Sequence, residues 1–316
     1  MRRRPEAPAL ASSALTTRAP APFDFAGTAY SHGWAVLDPT RWDGTSCTLE
    51  RTERLQAGRV VHLRIRGMGT ADRPALRIRV AHEGGLSPSD RGRIRAAVRR
   101  MFRLDEDLEE FHALARRFGG RWSAAARGRG RLLRSPTVFE DAVKTLCTTN
   151  VQWGGTKAMV RGLVRALGET APDGVGGGPA WAFPTPEAIA AAPADVLESA
   201  RLGYRAPYVR ELGERVAGGE LDLEALDDPG VPLDALKETL LGIRGVGPYA
   251  AATLLMLLGR YEHLAMDSVF RSFVGQRYFV GTTPTDEQAG SIYDRWGRWK
   301  YLGYWLDLWE GTSEKI

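Results

Sequence analysis

The feature that most limits what this chain can fold into is a change of hydrophobic period near Ser87. Before it, "VVHLRIRG" and "ALRIRVAH" alternate apolar and polar residues, with His62, Arg64 and Arg66 standing between apolar neighbours. That two-residue repeat belongs to strands with one buried face. After it the repeat becomes helical. "SPSDRGRIRAAVRRMFRLD" opens on Ser-Pro-Ser-Asp, an N-cap with proline in the first turn. Helical segments follow in "DLEEFHALARRF", "TVFEDAVKTLCTTN", "GTKAMVRGLVRAL", "APYVRELGERVAGG" and "PLDALKETLLGI", with "GETAPDGVGGGPAWAFPTP" as a Gly-rich loop among them. Glycine and proline punctuation predicts a compact helical body rather than a coiled coil. The expected class is α+β: an antiparallel β-sheet subdomain over residues 23–86, then a mostly helical body over 87–316. Residues 1–22 read as a disordered basic tail.

A chain of 316 residues is long enough for two or three packed subdomains. The apolar stretch from Ala250 to Leu258 is far shorter than the roughly 20 residues a bilayer crossing requires, so no membrane association is expected. The N-terminus has no continuous apolar core, so a cytoplasmic protein is expected. Cys47 and Cys147 stand a hundred residues apart, and the five histidines are scattered without ligand spacing. Neither a structural metal nor an organic cofactor is indicated. The net charge is 43 − 38 = +5, which points toward a polyanionic partner. Thirteen arginines against five acidic residues lie between Arg91 and Arg134. That run is either a phosphate-contacting surface or a solvated helical face.

The stretch "LKETLLGIRGVGPYAAATLLMLL" predicts a helix ending near Leu241, a turn, and a second helix from about Pro248. Gly245 and Gly247 would let the backbone approach another surface closely. The open amides at the second helix's start would suit one phosphate. Twenty residues beyond Gly247 stands Asp267, a lone carboxylate before "SVFRSF". An aspartate at a helix start is equally an ordinary N-cap.

"GIRGVGPYAAATLLMLLGRYEHLAMDSVFRSF" resembles the helix-hairpin-helix DNA glycosylases with their Gly-Pro-Asp pattern, over about 233–273. "LESARLGYRAPYVRELGERV" is similar to a segment of 8-oxoguanine DNA glycosylases, and "FRLDEDLEEFHALA" to the linker of bacterial 3-methyladenine glycosylases. The likeness covers about residues 23–310. It implies flipping of a damaged nucleotide out of double-stranded DNA, with Asp267 stabilising the oxocarbenium-like sugar and handling the attacking water. It further implies that Gly245 and Gly247 hold a phosphate, that Asn150 fills the vacated stack, that Tyr204 wedges it and that Arg205 meets the opposite base. A monovalent cation held by hairpin carbonyls is also implied, and a monomer is expected.

The chain departs from the family in two places. Bifunctional members carry a lysine two residues after the last hairpin glycine, where this chain has Tyr249; a phenol forms no imine, so base removal without strand cleavage is expected. The iron–sulfur branch needs four C-terminal cysteines, and none lies beyond Cys147. Tyr249 and Trp153 are the candidate base-pocket aromatics, while the C-terminal run "YDRWGRWKYLGYWLDLW" reads mainly as core packing. An alkylated purine is the expected substrate, because a cationic base leaves easily. "CTTN" and "GYRA" lean instead toward oxidised guanine, although "NVQWGG" lacks the further asparagines and arginine of that branch. A noncatalytic damage-binding protein is the remaining alternative, against which the presence of Asp267 argues.

Overall fold

The computed structural model describes residues 10–312, apart from 71 and 173–178. The first element already revises the expected layout. β1 (Leu10–Arg18) is a strand inside the supposed tail, paired antiparallel along β5 from Leu10↔Glu83 to Arg18↔Ala75. Its "LASSALTTR" composition hides it: Leu15 and Thr17 are the side chains it buries, so its alternation is faint. The remainder of the supposed tail that precedes it, residues 1–9, lies outside the described residues, as does the core of the Gly-rich loop.

After α1 (Phe25–Ala29) come β2 (Thr40–Asp43), β3 (Thr48–Arg54), β4 (Val60–Thr70) and β5 (Arg73–Glu83). Together they form one antiparallel sheet of order β1-β5-β4-β3-β2. The two-residue repeat sorts its faces. Leu63, Ile65, Leu76, Ile78 and Val80 are buried, and Arg64, Arg66, Arg77 and Arg79 project into solvent.

The helical body follows as α2 (Pro88–Met101), α3 (Glu109–Phe118), α4 (Val138–Thr148), α5 (Trp153–Leu167), α6 (Pro186–Ala190), α7 (Ala194–Ser199) and α8 (Ala206–Ala217). It continues through α9 (Leu233–Leu241), α10 (Pro248–Leu257), α11 (Ser268–Tyr278), α12 (Asp286–Ser291) and α13 (Lys300–Thr312). Ser87 caps α2 in a reciprocal box with Asp90, as its sequence predicts. Among the described residues no helix is long and apolar enough to cross a membrane.

Two helices lie deepest. α4 buries charged as well as apolar side chains, with Glu140, Asp141 and Lys144 all nearly inaccessible. α10 is buried from Ala250 through Leu257, and its three alanines fit a helix packed on all sides. Its C-terminal carbonyls are met by Arg103, which donates to Met256 (2.8 Å) and Leu257 (2.9 Å) and to the Leu132 carbonyl (2.7 Å). A buried cation at a helix C-terminus complements the dipole there.

That contact corrects part of the arginine-run reading. Arg103 and Arg131 are buried, and Arg131 donates to the Arg103 and Glu106 carbonyls. Arg100 and Arg134 both bind Asp227. These four hold loops to helix ends and are not available to an external phosphate. An arginine fork satisfies carbonyls in the interior as readily as phosphates outside.

Candidate active site

The helix-hairpin-helix forms where the sequence places it, with α9 ending at Leu241 and α10 starting at Pro248. Gly245 has a left-handed φ of +89°, and a Cβ there would lie 2.4 Å from Tyr208 Cδ2, so the turn closes only with glycine. Gly247 differs. Its φ is an ordinary −93°, and nothing lies within 4 Å of a Cβ built on it. The protein itself does not require a glycine at 247; the open space suits a surface approaching from outside. No side chain caps α10, and the amides of Tyr249 and Ala250 have no backbone partner among the described residues.

The start of α10, from Gly247 to Tyr249, borders a cleft of about 1090 Å³. Its walls include Asp267, Gly245, Gly247, Asn150, Tyr204, Tyr249 and Trp153, so one concavity unites residues spread over 118 positions of sequence (267 − 150 = 117 steps). Asp267 is both things its sequence allowed. It caps α11, Oδ1 accepting the Phe270 amide at 2.7 Å, and it also lines the cleft, half-buried. Among the described residues it has no ion-pair partner; the neighbouring Arg271 is engaged by both oxygens of Asp286 at 2.7 Å.

Three phenols surround this carboxylate. Burial, and then the Asp267 charge, raises the pKa of Tyr249 and of Tyr304. Tyr301 is raised further by burial, by its tyrosine neighbours and by Asp267. All three therefore remain O–H donors at neutral pH. Tyr301 stacks on Trp305 with centroids 6.1 Å apart, and the Trp305 indole donates to the Ser31 carbonyl (2.7 Å).

Sequence reading missed most of this wall. Within the C-terminal aromatic run, Trp296 and Trp299 are core residues as expected, whereas Tyr301, Tyr304 and Trp305 line the cleft. His32 and Trp34, from the loop after α1, line it too, and nothing in their spacing announced them. The Trp34 indole donates to Asp141 Oδ1 on α4 (2.9 Å). His32 Nε2 faces the Leu133 carbonyl, an acceptor only, so the proton is assigned to Nε2 and Nδ1 carries a lone pair. Burial, against the pull of that hydrogen bond, lowers its pKa to about 4, so the ring is neutral. Trp153 lies across Gly33, where a Cβ would come within 2.3 Å of the indole.

At the cleft mouth, Asn150 adopts φ +46°, a left-handed conformation asparagine tolerates better than most residues, and its amide donates to the Tyr204 hydroxyl (3.4 Å). Tyr204 is 52% exposed. Arg205 is not poised outward. It is buried, donates to the Thr149 carbonyl and lies 4.4 Å from the Tyr204 ring centroid, holding the Asn150 turn from within.

A glycine-closed hairpin, an uncapped helix start and a carboxylate in an aromatic cleft, joined to a five-stranded sheet, give the fold of the helix-hairpin-helix DNA glycosylases. No family model matches the chain. Among solved structures, the 3-methyladenine DNA glycosylase from Archaeoglobus fulgidus is 21% identical with a TM-score of 0.73, covering 94% of this chain and 98% of that one. The apo 8-oxoguanine glycosylase/lyase of Clostridium acetobutylicum is 15% identical with a TM-score of 0.67, covering 95% and 98%. Over 185 residues the chain is 25% identical to a probable N-glycosylase/DNA lyase of Methanothermobacter thermautotrophicus, a match spanning 52% of this chain and 57% of that protein.

Proposed function

We propose that the chain is a monofunctional DNA glycosylase that hydrolyses the N-glycosidic bond of an alkylated purine flipped out of duplex DNA. The observation that carries this reading is Asp267: an unpaired carboxylate, fixed by its own helix cap, on the wall of an aromatic cleft beside free hairpin amides. As the base departs, positive charge develops on the sugar, and a fixed negative group next to it lowers the barrier. The same carboxylate can accept a proton from the attacking water. The open start of α10 at Gly247 and Tyr249 would hold a phosphate of the distorted strand.

The substrate class follows from what the cleft lacks. Among its described lining residues Asp267 is the sole carboxyl group, and His32 is neutral. No second carboxylic acid stands ready to protonate a departing base, so the base should bring its own positive charge. Aromatic faces at Trp34, Tyr301 and Trp305 suit such a cation. The His32 Nδ1 lone pair adds an acceptor for a purine N–H. Monofunctionality rests on Tyr249 at the position of the family's lysine, and on the absence of any lysine among the described lining residues. The lyase in the name of the Methanothermobacter relative is a property of that protein.

Oxidised guanine is the second reading, favoured by the linked Asn150 and Tyr204 at the mouth. A monovalent cation on hairpin carbonyls is compatible with the turn, where the Gly242 and Ile243 oxygens each accept one hydrogen bond and keep a second lone pair. No chemistry is routed through it.

The test is excision from duplexes carrying 3-methyladenine, 7-methylguanine, hypoxanthine or 8-oxoguanine. Asn is as good an N-cap as Asp, so Asp267→Asn keeps α11 intact and removes only the charge. Its single-turnover rate should fall by about 10²–10³. An undiminished rate would sink the assignment of Asp267, a borohydride-trapped complex would sink monofunctionality, and binding without turnover would leave a damage-binding protein.

A further inference from the structure

The solvent face of the sheet carries a charge pattern that folding does not explain. Across β4 and β5, Arg64 stands directly opposite Arg79, and Arg66 directly opposite Arg77. Like charges paired across strands destabilise a sheet. Lysine or arginine on an edge strand guards against aggregation, but β4 and β5 are interior strands, so edge protection is not the reason. The neutralisation is one-sided. In the row Arg79–Arg64–Glu50–Arg41, running from β5 to β2, Glu50 binds both Arg64 (3.0 Å) and Arg41, and among the described residues Arg79 has no carboxylate partner. In the next row Arg66 Nε donates to Thr48 Oγ1 (2.6 Å), and among the described residues Arg77 has no acidic partner. The four guanidiniums border a recess of about 150 Å³.

We infer that this face is a second nucleic-acid surface, which takes the sugar–phosphate backbone of duplex DNA outside the cleft. Strands lie about 4.8 Å apart, and residues two apart on one strand are separated by about 6.8 Å, so the four arginines are anchored on a backbone grid of that spacing, from which their long forks can reach successive phosphates. Arginine forks suit phosphate oxygens bidentately. Among the described residues no aromatic side chain borders the recess, so bases are not stacked and binding is independent of sequence. An arriving phosphate would relieve the repulsion at Arg77 and Arg79, where no carboxylate does so. This surface stands on the sheet alone and does not depend on base excision.

The experiment measures affinity for an undamaged duplex against salt concentration, comparing wild type with the double variant Arg77→Gln, Arg79→Gln. Loss of two phosphate contacts should make the slope of log K against log salt shallower by about 1.8 and weaken binding about tenfold at moderate salt. The Arg77→Lys, Arg79→Lys variant should stay close to wild type in slope. Folding is not endangered, because removing like charges should raise the thermal midpoint of the Gln variant. An unchanged slope and affinity would overturn the proposal. So would a polyglutamate peptide that binds wild type but not the Gln variant while duplex binding is equal in both, since the face would then serve an acidic protein.

Discussion

Asp267 commits Oδ1 to the Phe270 amide, and that bond orients the carboxylate toward the cleft. Cap and charge are separable: Asn keeps the first and loses the second, which makes the substitution informative. His32 supports a prediction of another kind. Its pKa falls from an ordinary 6.5 to about 4 because burial penalises the charged ring. In this window the unfolded chain binds a proton that the folded chain refuses, so stability rises with pH. The contribution is complete above pH 6.5 and is lost as pH falls toward 4, about 3 kcal/mol in all. His32→Gln should flatten that part of the curve. Urea unfolding of both proteins at pH 4.5 and pH 7 checks it, and parallel pH dependences would show that His32 is not the titrating group. The place of Asp267 beside the hairpin was legible through the resemblance to the Gly-Pro-Asp pattern, since by itself an aspartate before a helix reads equally as a cap. His32 was not, since a histidine reveals its tautomer only through the carbonyl it meets, and Leu133 is 101 residues away.

The hairpin shows what a local pattern can and cannot convey. Its boundaries were readable, because proline at a helix start and glycine in a turn act through the backbone itself. Its two glycines look alike in sequence and differ in physical reason. Gly245 combines a left-handed φ with contact against Tyr208, so Gly245→Ala should cost about 2–4 kcal/mol of stability, measured by denaturant unfolding. Gly247→Ala meets neither strain nor clash and should leave stability within about 0.5 kcal/mol of wild type. If a phosphate approaches the α10 amides, the added methyl should still weaken duplex binding. Equal DNA affinity in Gly247→Ala would remove the hairpin from the interface. β1 marks the opposite limit, for a strand built of small residues gains its identity from the partner it pairs with.

At the scale of the molecule, the question is how a sheet face and a cleft in the helical body are held in one frame. The answer lies in charges the sequence could not pair. Arg51 on β3 binds Glu140 on α4 (2.6 Å) and Glu53 (2.5 Å), and Glu140 also binds Lys144 (2.7 Å). Arg51, Glu140 and Lys144 are each at most 2% exposed. Burial alone would raise the Glu140 pKa, but Arg51 and Lys144 outweigh it and hold it at about 2. One helical turn or so beyond this cluster, α4 ends and delivers Asn150 to the cleft, while Asp141 beside it anchors Trp34. Taken alone such a cluster adds little net stability, because desolvation offsets the attraction, but breaking it leaves stranded charge. Glu140→Gln leaves Arg51 paired with Glu53 alone and strips buried Lys144 of its ion-pair partner, and should cost about 3–5 kcal/mol. Removing Lys144 as well restores the balance, so Glu140→Gln with Lys144→Met should lose less than the two single variants summed. Urea unfolding of the four proteins in this cycle measures the coupling. Strict additivity would mean that Glu140 and Lys144 are not coupled, and that the cluster behind the cleft does not act as one charged unit.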